Sequence, residues 1–262
     1  MNILEEIADK TRLRVEKAKK EKSLAQIKEE AIAMDANTGF PFEKALAKEG
    51  ISFICEVKKA SPSKGVIARE FPYKEIAKSY ERGGASAISV LTEPAYFQGK
   101  DAYLTEISSE VALPLLRKDF TVDEYMIYEA KLIGASAVLL ICALLEEETL
   151  AQYIQIADSL GLSALVEAHD EEEIQKAIAA KARIIGVNNR NLKTVTVDIN
   201  KSIRLREHVP DGVLVVSESG IKGEEDIRNL AKHRVDAVLI GETMMRAGNT
   251  EEVLKNLINA GK

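Results

Sequence analysis

Three carboxylates, two lysines and one amide recur in the same local setting along this chain: each stands where a short apolar run ends. The runs close as Cys55-Glu56-Val57-Lys58, Leu116-Arg117-Lys118-Asp119, Leu165-Val166-Glu167, Gly186-Val187-Asn188 and Val216-Ser217-Glu218. If these runs are strands, successive side chains point to opposite faces. Glu56 and Lys58 then share a face with Ile54, Lys118 shares one with Leu116, and Cys55 and Val57 point the other way. Singly, a Lys or Glu at a strand end is an ordinary solvated edge residue. Jointly they are harder to explain that way. Burying an unpaired charge costs on the order of 2–7 kcal/mol or more, so inward charges on several strands should pair with one another and serve a purpose. Lysines beside other cations lose their protons more readily, and a Glu against apolar walls keeps its proton. Such a set supplies a general acid and a general base near neutral pH. The chemistry expected is proton transfer, with or without a lysine Schiff base.

Two loops resemble an anion cradle. Ser217-Glu218-Ser219-Gly220-Ile221 and Gly241-Glu242-Thr243 carry glycines that let backbone N–H groups approach an anion at a helix N-terminus. Ordinary helix-capping turns would read the same, and Glu242 is an awkward neighbour for a phosphate. The polar, cationic stretch Lys59-Ala60-Ser61-Pro62-Ser63-Lys64-Gly65 is either a lid over an anionic substrate or a surface loop. Arg190, in Asn188-Asn189-Arg190-Asn191-Leu192, suits a carboxylate or phosphate. Phe97 and Phe120 either wall an aromatic ring or pack beneath loops.

The elements that must position these groups follow one rhythm. β-rich runs occur at 51–57, 87–91, 114–117, 137–141, 164–166, 183–187, 213–216 and 236–240, with helical periodicity between most of them. The clearest helix carries Leu150, Tyr153, Ile154, Ala157 and Leu160 behind the acidic 146–148, which suits a helix N-terminus. Gly84-Ala85-Ser86-Ala87 and Gly134-Ala135-Ser136-Ala137 punctuate two helix-to-strand turns in similar words. Eight strand–helix units imply a parallel sheet buried on both faces. A doubly wound sheet is possible, but eight units in roughly 250 residues fit a closed (β/α)8 barrel, whose active site lies at the C-terminal ends of the strands and whose phosphate loops follow strands seven and eight. Residues 1–48 form an amphipathic helical extension with Ile3, Leu4, Ile7, Leu13, Val15, Leu24, Ile27 and Ala31 on its apolar side, ending at Thr38-Gly39-Phe40-Pro41. No linker divides the chain, so 1–262 is expected to be a single barrel domain that includes this extension.

Composition narrows the class further. Of 262 residues, 46% are hydrophobic and 30% charged, which suits a packed globular protein and excludes disorder or a disulfide scaffold. The net charge of −6 argues against a nucleic-acid or anionic-membrane partner. Neither a membrane span nor a signal sequence is evident, and Cys55 and Cys142 read as reduced core residues of a cytoplasmic protein. His169, His208 and His233 lack metal-ligand spacing with one another, and no dinucleotide fingerprint, P-loop or nucleophile elbow is present, so neither metal nor cofactor is expected. A monomer acting on a small phosphorylated substrate is expected.

The same residues carry a family resemblance. Glu56-Val57-Lys58-Lys59-Ala60-Ser61-Pro62-Ser63-Lys64-Gly65, Ile88-Ser89-Val90-Leu91-Thr92-Glu93, Leu116-Arg117-Lys118-Asp119-Phe120, Leu165-Val166-Glu167-Ala168-His169, Gly186-Val187-Asn188-Asn189-Arg190-Asn191-Leu192 and Ser217-Glu218-Ser219-Gly220-Ile221 follow in order. So arranged, the chain resembles the indole-3-glycerol phosphate synthase family from Ile3 to Met245. The resemblance implies a lyase of tryptophan biosynthesis. It would close the ring of 1-(2-carboxyphenylamino)-1-deoxyribulose 5-phosphate, releasing carbon dioxide and water. Carried over residue by residue, Lys118 would be the general acid of ring closure, with Glu167 and Lys58 dividing the acid and base work of dehydration. Glu56 would orient the lysines, and Asn188 and Glu218 would hold substrate hydroxyls or the amine-bearing intermediate. Ser61 and Arg190 would contact the aryl carboxylate, while Phe97, Phe120, Leu139 and Leu192 would surround the ring. Lys58, Ser219, Gly220, Gly241 and Glu242 would hold the phosphate. Tyr96 stands where the family pattern has a second phenylalanine. A Schiff-base aldolase using Lys118 or Lys58, and a phosphate-binding barrel without turnover, are the competing readings.

Overall fold

A computed structural model describes residues 3–68, 70–190 and 196–262. Eight strands run parallel and close on themselves: β1 (Ser52–Val57), β2 (Ala87–Leu91), β3 (Leu115–Lys118), β4 (Ala137–Ile141), β5 (Ser163–Ala168), β6 (Ile184–Asn188), β7 (Leu214–Glu218) and β8 (Ala237–Ile240). Each pairs with its sequence neighbours and β1 closes the ring against β8, with Ser52 opposite Ala237 and Ile54 opposite Ala87. With helices between the strands, this is the expected (β/α)8 barrel. All eight strands fall on the runs read from sequence, with ends shifted by a residue or two.

Period-two alternation separates two cores. Ile54, Leu116, Leu139, Leu165, Val216 and Leu239 fill the barrel interior. Their neighbours Phe53, Cys55, Val57, Leu115, Leu140 and Val166 pack outward under the helices. Both cysteines are free and buried in that outer layer, as their apolar surroundings implied. The helix Glu147–Ser159 presents Leu150, Tyr153, Ile154 and Ala157 to the sheet, the face its periodicity predicts. The repeated Gly-Ala-Ser-Ala words do identical work. Gly84 and Gly134 adopt left-handed φ of 94° and 92°, where a Cβ is disfavoured. The following serines then staple adjacent strands: Phe53 N–H donates to Ser86 Oγ at 3.1 Å, and Leu115 N–H to Ser136 Oγ at 3.4 Å.

The N-terminal region covers both ends of the barrel. Helix α1 (Ile3–Glu21) buries Leu4, Ile7, Ala8, Thr11 and Val15, and Leu4 joins the interior cluster. Leu13 departs from its expected place on the apolar side and is 71% exposed. Six residues from Ile7 it falls about 240° around the helix, and Thr11 takes the buried position instead. Helix α2 (Leu24–Ala33) starts at a capping box in which Ser23 and Gln26 satisfy each other's backbone N–H groups. At the opposite end, helix α3 (Pro41–Leu46) inserts Phe42 and Leu46 into the barrel floor. Among the described residues, no helix is long and apolar enough to cross a membrane.

Candidate active site

The C-terminal strand ends and the first turns of α1 enclose a cavity of about 950 Å³. Alternation along β1, β3, β5, β6 and β7 brings Glu56, Lys58, Lys118, Glu167, Asn188 and Glu218 to its floor, as the sequence predicts. Lys118 lies at the centre. Its Nζ donates to Glu167 Oε2 at 3.1 Å and to Glu218 Oε2 at 3.0 Å. Asn188 Nδ2 donates to Glu167 Oε1 at 3.1 Å, and Lys58 donates to Glu56.

The electrostatics differ from expectation in one respect. Lysines crowded by cations should ionise less readily, but Lys118 is crowded by carboxylates. Burial disfavours its charge, yet Glu218, Glu167 and Glu56 outweigh burial and hold it protonated beyond the ordinary lysine range. For Glu167, burial is again the largest single influence, but Lys118, His169 and Asn188 overcome it and keep the carboxylate ionised. Glu218 goes the other way. Burial, with the nearby charges of Glu167 and Glu56, lifts it to about 7 against the pull of Lys118. Its Oε1 is buried without a hydrogen-bond partner. That oxygen occupies the space above Gly186, where a Cβ would collide with it. The site thus contains a committed ammonium donor, a committed carboxylate and a carboxyl group poised near neutrality.

The cradle loops also reach the mouth. Ser219 and Gly220 are both left-handed, with φ of 70° and 87°, which turns successive backbone groups toward the cavity rim. Buried Asn189 holds this turn through Nδ2, which donates to Ser217 Oγ at 2.9 Å and to the Ser219 carbonyl at 3.0 Å. Gly241 passes so close to Glu56 and Lys58 that a Cβ there would strike the Glu56 carboxylate. The Glu242 side chain turns toward Arg246 and Lys64, at 3.2 and 3.5 Å, which removes its carboxylate as an obstacle to an anion at the backbone. Ser61 and Lys64 belong to a loop that contains a small antiparallel hairpin pairing Ala60 with Val66.

Phe97 and Phe120 face each other across the cavity wall, with ring centroids 6.1 Å apart. Leu139 contributes from the barrel interior, and Arg190 lines the rim. Leu192 lies outside the described residues. Each aromatic is held by an acid that single-sequence reading did not select. Glu93 Oε2 accepts the Phe97 N–H at 3.0 Å, and Asp119 Oδ1 accepts the Phe120 N–H at 2.8 Å. Asp119 also takes both bonds of Arg14 from α1, at 2.9 and 2.8 Å, and so ties the covering helix to the residue beside Lys118. Placement directly after a strand and next to an aromatic was the available signal for Asp119; Glu93, two residues past Leu91 and followed by Pro94, carried only its position in the loop after a strand. Among the described residues, no group of three His, Cys, Asp or Glu side chains is arranged to hold a metal.

Comparison with known proteins gives a consistent picture. Residues 4–257 match the family described as indole-3-glycerol phosphate synthase. The indole-3-glycerol phosphate synthase of Ruminiclostridium cellulolyticum is 58% identical over 255 residues, covering 97% of this chain and 98% of that protein. That of Endomicrobium trichonymphae is 55% identical, covering 97% and 99%. Among solved structures, 3-hexulose-6-phosphate synthase from Salmonella typhimurium superposes with a TM-score of 0.66 at 13% identity, over 80% of this chain and 98% of that one. At that identity the likeness concerns the barrel alone.

Proposed function

The chain belongs to the indole-3-glycerol phosphate synthase family, and on that premise we propose how its residues divide the work. The enzyme is a carboxy-lyase of tryptophan biosynthesis that forms indole-3-glycerol phosphate. The observation that carries the mechanism is the Lys118 ammonium, fixed between Glu167 and Glu218 below the Phe97–Phe120 wall. Those rings and Leu139 sandwich the aryl group of 1-(2-carboxyphenylamino)-1-deoxyribulose 5-phosphate, with Ser61 and Arg190 on its carboxylate. Backbone N–H groups around Ser219, Gly220, Gly241 and Glu242, with Lys58, take the phosphate.

The aryl carbon bearing the carboxylate attacks the ketone carbon while Lys118 gives its proton to the developing oxyanion. The carbon–carboxylate bond breaks, its electron pair returns to the ring system, and carbon dioxide leaves. Lys58 protonates the departing hydroxyl, and Glu167 removes a proton from the former methylene carbon to form the indole double bond. Two protons are delivered and one is recovered, so solvent supplies one per turnover, balancing loss of a carboxylate as neutral carbon dioxide. Donation by Lys118 also removes the positive charge that depresses Glu167, which makes the carboxylate a stronger base when it is needed. Glu167 then returns its proton across the 3.1 Å contact to Lys118. Glu56 orients Lys58, and Asn188 and Glu218 hold the substrate hydroxyls. What Lys118, Lys58 and Glu167 contribute to these bond changes is proton transfer. We assign the enzyme to the cytoplasm as a monomer, in keeping with a small-molecule biosynthetic step.

A lysine Schiff base is the competing use of the same ammonium group. Carboxylates that hold Lys118 protonated oppose it, because a Schiff base needs the free amine. Treatment with substrate and borohydride, followed by intact-mass measurement, should return the unmodified protein. A reduced adduct on Lys118 or Lys58 would show nucleophilic catalysis in place of general acid catalysis.

A further inference from the structure

His169 follows β5 and does not line the cavity, yet it connects directly to the Glu167 carboxylate. Its Nδ1 is 3.0 Å from Glu173 Oε2 and its Nε2 is 3.3 Å from Glu167 Oε1. The ring is held from behind by its own backbone. His169 N–H donates to the same Glu173 oxygen at 2.7 Å, and Glu173 N–H donates to the N-cap Asp170 at 3.0 Å. A neutral imidazole has one donor and one lone pair, so it would turn a lone pair toward one of the two carboxylates. Only the doubly protonated ring presents a positive N–H to each; toward Glu167 the contact is an ion pair at 3.3 Å, since the buried Nε2 has no hydrogen-bond partner among the described residues. Glu167 therefore lies between two cations, Lys118 at Oε2 and His169 at Oε1, with Asn188 sharing Oε1.

We propose that His169 is a positioning residue for the reaction: bridging Glu173 and Glu167, it fixes the Glu167 carboxylate against Lys118 and Asn188. It acts through Glu167 and touches no substrate, so the proposal rests on the reading of Glu167 as the base.

The surroundings support a charged ring. Burial opposes its protonation, but Glu167 and Glu173 outweigh it and raise His169 to about 10. The other titratable groups packed around this bridge do not cancel that pair. Asp170 is acidic, and the Cys142 thiol is pushed up to about 12 chiefly by burial, which keeps it neutral. Lys176 donates to the Cys142 carbonyl at 3.1 Å and Lys201 to the Asn188 carbonyl at 3.0 Å, so both are directed to backbone oxygens.

The sign of the pH effect follows from the raised value. The bridge is intact at pH values below the raised folded-state value and is lost as pH rises through it, so its loss belongs on the alkaline limb of kcat.

The test uses the intact enzyme and two variants. His169→Gln keeps a neutral donor but cannot serve both carboxylates, and should lower kcat about 10- to 100-fold with KM within threefold. Glu173→Gln leaves the histidine in place and should move the alkaline limb of kcat to lower pH by at least one unit. The chain has only three histidines. The His169 ring resonance is therefore assignable by its disappearance in His169→Gln, and in ligand-free protein it should titrate above the ordinary histidine range and shift down in Glu173→Gln. Circular dichroism confirms that each variant is folded; an unfolded His169→Gln leaves the decision to Glu173→Gln and the wild-type titration. Unchanged kcat and an unmoved alkaline limb, or a His169 that titrates in the ordinary range, would overturn the proposal. A wild-type chain that forms no indole-3-glycerol phosphate would overturn the functional reading beneath it, and the bridge's role with it.

Discussion

Lys118→Ala should reduce kcat by about 10³-fold or more while substrate affinity stays within about tenfold, or ~1.4 kcal/mol. The asymmetry follows from where the residue stands. Lys118 is flanked by Glu167 and Glu218 at 3.1 and 3.0 Å on the cavity floor, and it is not one of the groups proposed to hold the phosphate. Binding energy from the phosphate and the aryl ring should survive the substitution. What disappears is the donor proposed to meet charge that develops only as the ring closes, and such groups act on kcat more than on KM. Removing the ammonium also leaves two carboxylates facing each other, and the variant should answer by holding a proton on Glu218, already raised to about 7. Steady-state rates with a direct measurement of substrate dissociation separate the cases. Turnover within tenfold of wild type, with affinity lost, would make Lys118 a binding group.

Glu167→Gln should lower kcat by about 10²–10⁴-fold, and its defect should fall later in the reaction. The amide preserves volume and the contact with Asn188, but it cannot accept the methylene proton or return one to Lys118. In the proposed division of roles, ring closure and decarboxylation need the Lys118 proton alone. Under single-turnover conditions the variant should therefore release carbon dioxide while the indole chromophore lags far behind. Loss of both signals together would place Glu167 in the first step. Rates within threefold of wild type would remove it from the chemistry.

Most of this arrangement was legible because two periodicities converge. Eight strand–helix units in roughly 250 residues implied the barrel, and the barrel in turn placed Glu56, Lys118, Glu167 and Glu218, which end their apolar runs, at one mouth. The repeated Gly-Ala-Ser words were equally informative, since their glycines are the left-handed helix caps observed. What could not be read was the pairing. Residue types show that lysines and glutamates meet, but not that Lys118 has two carboxylates within 3.1 Å and thus a raised rather than lowered pKa. His169 was invisible for a related reason. Its bridge depends on how the chain turns from β5 into the following helix, which brings Glu173 behind the ring. Asn189, Glu93 and Asp119 act through backbone N–H and carbonyl partners, which carry no mark in the sequence. Leu13 shows the reverse error: an apolar residue on an amphipathic helix that faces solvent because its angular position, not its type, decides burial.

The most direct test of the central claim exploits the composition, since the chain contains no tryptophan. 1-(2-Carboxyphenylamino)-1-deoxyribulose 5-phosphate is added to the purified protein and indole fluorescence is followed, a signal the protein cannot itself supply. A rate of rise that saturates with substrate, with no added metal or nucleotide, is the predicted result. A flat trace from folded protein with intact substrate would contradict the synthase reading and leave only the barrel and its anion-binding loops.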